Sequence, residues 1–253
     1  MEAARVAAER GHQVILFEAS DRLGGAVKLA MLPPMRESFE EIIKFFEHQL
    51  PKLDVEVRLN TEATIEKVLA ERADAVIVAT GATPYVPDIP GARGAHVITS
   101  TDVLTGVRTG EHVVIIDTQG TPPGCVVAEV LADQGKRVEI VTGLKWVGSD
   151  IPGPVWHHLY ERLLGKGVVM SPMTGVSHIG DDFVDVYHVV NPSVARTIRS
   201  VDTVVMAAGG QANDGLYHSL AGRVDELYVI GDSAQPRNIE MATYQAHKLA
   251  VEL

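Results

Sequence analysis

Three kinds of residue with a chemical use stand together near the start of the chain. Glu18 ends the apolar run Val14–Phe17, and a carboxylate at the end of such a strand accepts hydrogen bonds from the ribose hydroxyls of an adenosine. Gly24 and Gly25 follow, and a residue without Cβ lets the backbone approach phosphates closely. Arg22, just before them, can neutralise a pyrophosphate. The pattern predicts a nucleotide site; the alternatives are an exposed acid after a strand and an ordinary surface arginine.

Two further residue pairs stand where later β-rich runs end. Thr80 and Gly81 follow one run, and Gly231 and Asp232 follow another. Each pair alone is also what commonly ends a strand, so the prediction depends on all the motifs occurring in order. The run Trp156–Glu161 places His158 and Glu161 at helical spacing, which could suggest a metal site. Without a third ligand, a solvated helix face explains these two residues better.

Short β-rich runs alternate with helical ones, which predicts an α/β fold with parallel sheets and crossover helices. Unbroken apolar runs such as Val113–Ile116 are typical of strands covered on both faces. Between Met170 and Arg199 shorter alternating runs predict a small antiparallel piece. The predicted strands are Gln13–Glu18, Asp54–Leu59, Ala75–Ala79, His112–Ile116, Arg137–Val141, Thr203–Ala207 and Glu226–Ile230.

Three helices carry terminal signals. Ser38 to Glu41 has the form of a capping box, and apolar residues recur after it at helical spacing. Thr121 to Gln134 predicts a second helix, ended by Gly135, and Glu240 to Leu253 predicts a third.

The chain contains two copies of the second half of a βαβ unit. Seven positions separate Gly11 from Glu18, and seven separate Gly135 from Thr142. In the second copy Gly124 takes the place of the third glycine of a phosphate loop, and its counterpart in the first copy falls just before Met1. We therefore expect a fragment, or a mis-started reading frame, that lacks the first strand and its glycine-rich loop. The alternative is an independent protein that opens with an amphipathic helix.

The second copy departs from the dinucleotide-binding pattern. In the loop Asp117–Gly124, Gln119 and Thr121 occupy the first two glycine positions, and two consecutive prolines remove amide donors. Thr142 stands where a ribose-binding acid is expected. A structural relic is favoured over an NAD(P)H site, which stays open as an alternative.

Composition limits the partners. The formal net charge of −11 argues against nucleic acids and anionic membrane surfaces, and no stretch approaches the roughly 20 apolar residues of a membrane span. The single cysteine, Cys125, cannot form an internal disulfide or hold an iron–sulfur cluster. It favours a reducing cytoplasm.

The motifs in their order resemble the two-dinucleotide-domain architecture of FAD proteins of the glutathione-reductase type. More narrowly, the chain resembles the C-terminal FAD/NAD(P)-binding region of the trimethylamine dehydrogenase and dienoyl-CoA reductase group, which is similar to old yellow enzyme at the N-terminus. The resemblance implies that Asp232 bonds the ribityl or pyrophosphate part of FAD, and that the helix from Met241 and Ala242 points its dipole at the cofactor. It also implies an FMN-bearing barrel and an iron–sulfur cluster outside this chain.

The predicted architecture is two Rossmann-like domains, the second inserted into the first. Residues 1–106 and 208–253 form the FAD or ADP domain, and 107–207 form the NAD(P)-like domain. The predicted function is the nucleotide-binding part of a flavin-dependent oxidoreductase, with no catalytic residue identified. A non-redox ADP module and an NAD(P)H-dependent reductase are the alternatives. The substrate is not readable, and a homo-oligomer is compatible with the sequence.

Overall fold

The computed structural model describes residues 1–253. Its helices are α1 Glu2–Glu9, α2 Val27–Ala30, α3 Glu40–Lys52, α4 Ile65–Glu71, α5 Ser100–Leu104, α6 Pro122–Asp133, α7 Gly153–Gly165, α8 Gly215–Leu220 and α9 Ile239–Glu252. Its strands are β1 Ile15–Phe17, β2 Glu56–Arg58, β3 Ala75–Val78, β4 Ala82–Pro84, β5 Val97–Thr99, β6 His112–Asp117, β7 Arg137–Thr142, β8 Val169–Ser171, β9 Thr174–Ile179, β10 Phe183–His188, β11 Ala195–Arg199, β12 Thr203–Ala207, β13 Gly210–Ala212 and β14 Glu226–Val229.

The chain forms two compact units, the second inserted in sequence into the first. Met1–Thr83 and Gly210–Leu253 make up the first unit, and Pro84–Gly209 makes up the second. The first boundary differs from the one at 106/107 that the sequence suggested. Residues 84–106 lie in the second unit because β5 pairs in parallel with β12.

The first unit contains two separate parallel sheets of two strands each. In one sheet β1 pairs with β2, and in the other β3 pairs with β14. No strand joins β1 to β3, so each has one edge without a partner strand. Parallel pairing brings the carboxyl ends of the two strands in each sheet to the same edge.

Helix α1 links the two sheets of the first unit through its apolar face. Its Ala3, Val6 and Ala7 pack in one buried cluster that also includes Val14 beside β1 and Ile77 of β3. The small alanine side chains on α1 and α9 let these two helices pack closely over that cluster. The core of the first unit is therefore built around the helices rather than around one continuous sheet.

The second unit is a three-layer structure around one five-stranded parallel sheet of order β5-β12-β6-β7-β8. All six residues of β6 are buried. Successive side chains in a strand point to opposite faces, so Val113 and Ile115 pack against the layer of helices α5, α6 and α7. Val114 and Ile116 pack against the antiparallel sheet β9-β10-β11. The continuous apolar run of β6 thus contributes side chains to the cores on both faces of the sheet.

The structure contains the predicted α/β fold, the seven predicted strands, the antiparallel piece and the three predicted helices. The observed ends of the seven strands lie within two residues of the predicted ends. The prediction of a capping box at Ser38 is wrong. Ser38 lies in a single 3₁₀ turn, Glu37–Phe39, and no side chain caps α3. The 3₁₀ turn supplies the start of the helix, so Ser38 is not in the N-cap position. No helix combines the length and apolar character needed to cross a membrane.

Candidate functional site

Glu18 lies directly after β1, at the carboxyl edge of its sheet. It is half-buried, and its Oε1 accepts hydrogen bonds from the backbone N of Ser20 at 2.9 Å and from the Ser20 hydroxyl at 2.7 Å. Its other oxygen, Oε2, makes no hydrogen bond within the chain. The side chain is thus oriented by the following turn and keeps one acceptor for a ligand.

Lys28 is a cation in this neighbourhood that the sequence analysis missed. Its Nζ donates to the Ser20 hydroxyl at 2.6 Å and to the Arg22 carbonyl at 3.0 Å. Because the Ser20 hydroxyl also donates to Glu18, Ser20 bridges the Lys28 ammonium group and the Glu18 carboxylate. The only available signal was its position in the first turn after the glycine pair, which does not distinguish it from a surface lysine.

Arg22 does not point freely toward a ligand. Its guanidinium pairs with Glu47 at 3.0 Å and with Glu40 at 3.4 Å, both on α3. Hydrogen bonding to Glu47 raises its pKa above the ordinary arginine value. The structure therefore gives Arg22 two carboxylate partners within the protein, and its assignment to a pyrophosphate stays a prediction.

The two glycines after Glu18 have different surroundings. A Cβ at Gly24 would lie 2.6 Å from Cδ1 of Ile43, a fully buried residue of α3, and its φ is +125°. A Cβ at Gly25, where φ is +50°, would meet nothing within 4 Å. Gly24 packs against the side chain of Ile43, whereas the space beside Gly25 is open.

The turns after β3 and β14 meet at one edge because these strands are parallel and Val78 is in register with Val229. Thr80 donates its hydroxyl to the carbonyl of Asn213. The N–H of Asn213 in turn donates to the carbonyl of Gly81 at 2.9 Å. A Cβ at Gly81 would meet nothing within 4 Å, so this turn is fixed on one side and open on the other.

Gly231 and Asp232 lie in a 3₁₀ turn beside that edge. Asp232 Oδ1 accepts a hydrogen bond from the backbone N of Arg237 at 3.0 Å, and Gly231 N donates to the side chain of Gln245 at 2.9 Å. The hydroxyl of Ser233 donates to the carbonyl of Val78 at 3.2 Å, which ties the two turns together. The structure therefore brings these four predicted residues to one place.

The first turn of α9 packs on Gly231, since a Cβ there would lie 3.5 Å from Cβ of Ala242. The backbone amides of Met241 and Ala242 are already used, because both donate to Asn238, at 2.8 Å and 3.1 Å. The helix begins at Ile239, one residue before the predicted start at Glu240. Its unused first-turn amides are accordingly those of Ile239 and Glu240.

A family model described as pyridine nucleotide-disulphide oxidoreductase matches residues 1–248. The chain belongs to this family. The family's description includes disulphide chemistry, but this member has a single cysteine, Cys125, buried on α6. A redox-active cysteine pair is therefore absent from the sequence.

Among relatives, the N,N-dimethylglycine/sarcosine dehydrogenase of Chromohalobacter salexigens is 32% identical over 98% of this chain and 42% of its own length. The solved structure of a 2-naphthoyl-CoA reductase superposes with a TM-score of 0.90, at 31% identity over 100% of this chain and 38% of that one. The chain thus spans about two fifths of these relatives. It corresponds to the FAD/NAD-binding region of enzymes of the trimethylamine dehydrogenase and dienoyl-CoA reductase type.

The thioredoxin reductase of T. acidophilum shares the fold over most of its length. It superposes with a TM-score of 0.70 at 18% identity, covering 100% of this chain and 93% of that one. At this identity the similarity establishes the architecture alone. The predicted glutathione-reductase type of fold is confirmed.

Proposed function

We propose that the first unit binds the adenosine part of FAD, or of ADP in its place, at Glu18. The observation that carries the proposal is the half-buried carboxylate at the end of β1, oriented by Ser20 through one oxygen and unbonded at the other. An acid in this position of a Rossmann-like unit accepts from ribose hydroxyls. The open space at Gly25 supports a ligand beside it.

The other end of the cofactor is assigned to the edge formed by Thr80, Gly81, Gly231 and Asp232. Open space at Gly81 and the nearby start of α9 support this assignment, because a helix N-terminus favours an anionic group. Bound FAD would supply the redox chemistry, while these residues hold and orient it. Within this chain no residue is assigned to proton transfer.

We further propose that this unit supports electron transfer with a portion that carries FMN and an iron–sulfur cluster, and that the protein works in the cytoplasm. The named relatives are dehydrogenases and reductases, and the chain matches only part of their length. Amines, N-methylated amino acids and unsaturated thioesters are the substrate classes that fit such relatives.

A non-redox ADP module is the alternative that uses the same residues. The two functions separate in one experiment, in which the chain is mixed with FAD and with ADP and passed over a desalting column. Visible absorbance that stays with the protein and is not displaced by excess ADP supports the flavin. Retention of ADP with loss of all FAD supports the structural module.

The assignment of Glu18 predicts a specific loss of affinity. A hydrogen bond to a charged group contributes about 1.5–3 kcal/mol, so E18A should bind ADP roughly tenfold or more weakly in isothermal titration calorimetry. E41A is the matched control, because Glu41 is an exposed acid on α3 that pairs only with Lys44. Equal affinities for E18A and E41A would show that the adenosine does not bind at Glu18.

A further inference from the structure

The second unit repeats the dinucleotide-binding topology, and the description of the family names a pyridine nucleotide. In such a unit the pyrophosphate lies between the carboxyl ends of the central strands and the N-terminus of the following helix. Here those elements are β6, β7 and α6. Four observations on the residues at this place disagree with a bound pyrophosphate.

Asp117, the last residue of β6, places a carboxylate inside the loop. The residue is 1% exposed, and its Oδ1 accepts hydrogen bonds from the amides of Gln119 at 3.0 Å and Gly120 at 2.8 Å. Its Oδ2 is buried without a hydrogen-bond partner. The loop amides that would bind a phosphate are therefore already bonded to an acid of the protein.

This carboxylate lies against the first turn of α6. A Cβ at Gly124 would lie 3.3 Å from both Cβ and Cγ of Asp117. The first two residues of the helix are Pro122 and Pro123, which have no N–H to donate. The helix end thus faces an internal anion and lacks two of its usual donors.

The loop is also covered by the segment that follows β7. At Gly120, where φ is +67°, a Cβ would lie 2.3 Å from Oγ of Ser149 and 2.9 Å from Cδ1 of Leu144. The backbone N of Asp150 donates to the Gly120 carbonyl at 3.0 Å. Protein atoms therefore fill the space beside Gly120.

The counterpart of Glu18 is closed off as well. Thr142 ends β7, is 1% exposed, and accepts a hydrogen bond from the amide of Leu144 at 3.3 Å through its hydroxyl. A ribose cannot reach a hydroxyl in that position without displacing the segment that covers it.

We propose that Asp117 is a specificity-determining residue whose carboxylate takes the place of the dinucleotide phosphate and, together with the covering segment 144–151, closes the second unit to NADH and NADPH. A dianionic pyrophosphate entering this loop would compete with Asp117 for the same two amides and would meet its negative charge. Electrons from a nicotinamide cofactor then have no entry through this unit, whichever ligand the first unit holds.

The test is a titration of the chain with NADH and NADPH, followed by energy transfer from Trp146 and Trp156, which both lie in the second unit. Wild type should give no saturable signal up to about 1 mM, the weak end of ordinary substrate affinities. D117G frees both loop amides and removes the carboxylate beside Gly124, and should give saturable binding below that concentration. D117N removes the charge while keeping the shape, and should also bind better than wild type.

D150N is the matched control, since Asp150 is an exposed acid in the covering segment whose side chain is not bonded to the loop amides. Circular dichroism checks that each variant is folded. If D117G does not fold, the comparison is made with D117N alone. Saturable micromolar binding by wild type would overturn the proposal. So would folded Asp117 variants that bind no better than D150N. Neither result bears on ADP or FAD at Glu18.

Discussion

Three glycines in this protein, Gly24, Gly25 and Gly120, have different surroundings, and we propose that only Gly25 lies beside a ligand. Gly24 packs against the buried side chain of Ile43 and Gly120 packs against Ser149, whereas the space beside Gly25 is empty. All three have positive φ, which disfavours other residues. A glycine in a nucleotide-binding pattern therefore identifies a ligand site only when the space beside it is empty.

This difference predicts that the same substitution has different effects at these two adjacent positions. G24A should lower the free energy of unfolding by about 1–3 kcal/mol more than G25A, because it adds a clash in a packed core to the backbone strain. G25A should reduce ADP affinity while costing about 1–2 kcal/mol of left-handed strain. Urea denaturation and calorimetry measure the two quantities. A G24A variant as stable as G25A would contradict the packing role.

Helix starts in this fold depend on local geometry that composition does not reveal. Thr99 caps α5 in a full capping box: its hydroxyl accepts from the Asp102 amide, and the Asp102 carboxylate accepts from the Thr99 amide. Ser38 has the same kind of sequence signal but lies in a 3₁₀ turn that precedes α3. One short polar residue therefore caps a helix and the other does not.

The two helix starts predict a clear contrast in stability. T99A removes a cap and should cost about 1 kcal/mol, whereas S38A should change the free energy of unfolding by less than about 0.5 kcal/mol. Thermal and urea unfolding of the two variants make the comparison. A loss at Ser38 equal to that at Thr99 would mean that the serine does cap α3 in solution.

The elements were largely predictable from the sequence because β6 contains an unbroken apolar run and α3 has apolar residues at helical spacing. The contacts between side chains and turns that are brought together by folding were not predictable. The salt bridges of Arg22 to α3 depend on where a distant helix packs, and no local spacing encodes that. Lys28 and the use of the Met241 amide by Asn238 likewise appear only when the turns are folded. The sequence did indicate part of the filled loop at Asp117, because two of its glycine positions hold other residues and two prolines follow.

At the scale of the whole molecule, one topology occurs twice with two outcomes. The second unit has a continuous five-stranded sheet and a nucleotide loop filled by its own side chains. The first has short two-stranded sheets, among them β1-β2 and β3-β14 with their unpaired strand edges, and it has open space beside Gly25 and Gly81. Unpaired edges are places where further strands can pair. Burial and packing are thus concentrated in the unit that we propose binds no nucleotide.

The measurement that most directly tests this account is hydrogen–deuterium exchange of the chain with and without FAD. If one FAD spans the first unit, protection should appear together at residues 18–28, at 80–81 and at 231–242, while ADP should protect the first of these segments more than the others. The loop 117–124 should exchange identically with either ligand. Protection confined to that loop, or FAD protection at Glu18 without any at Asp232, would contradict the account.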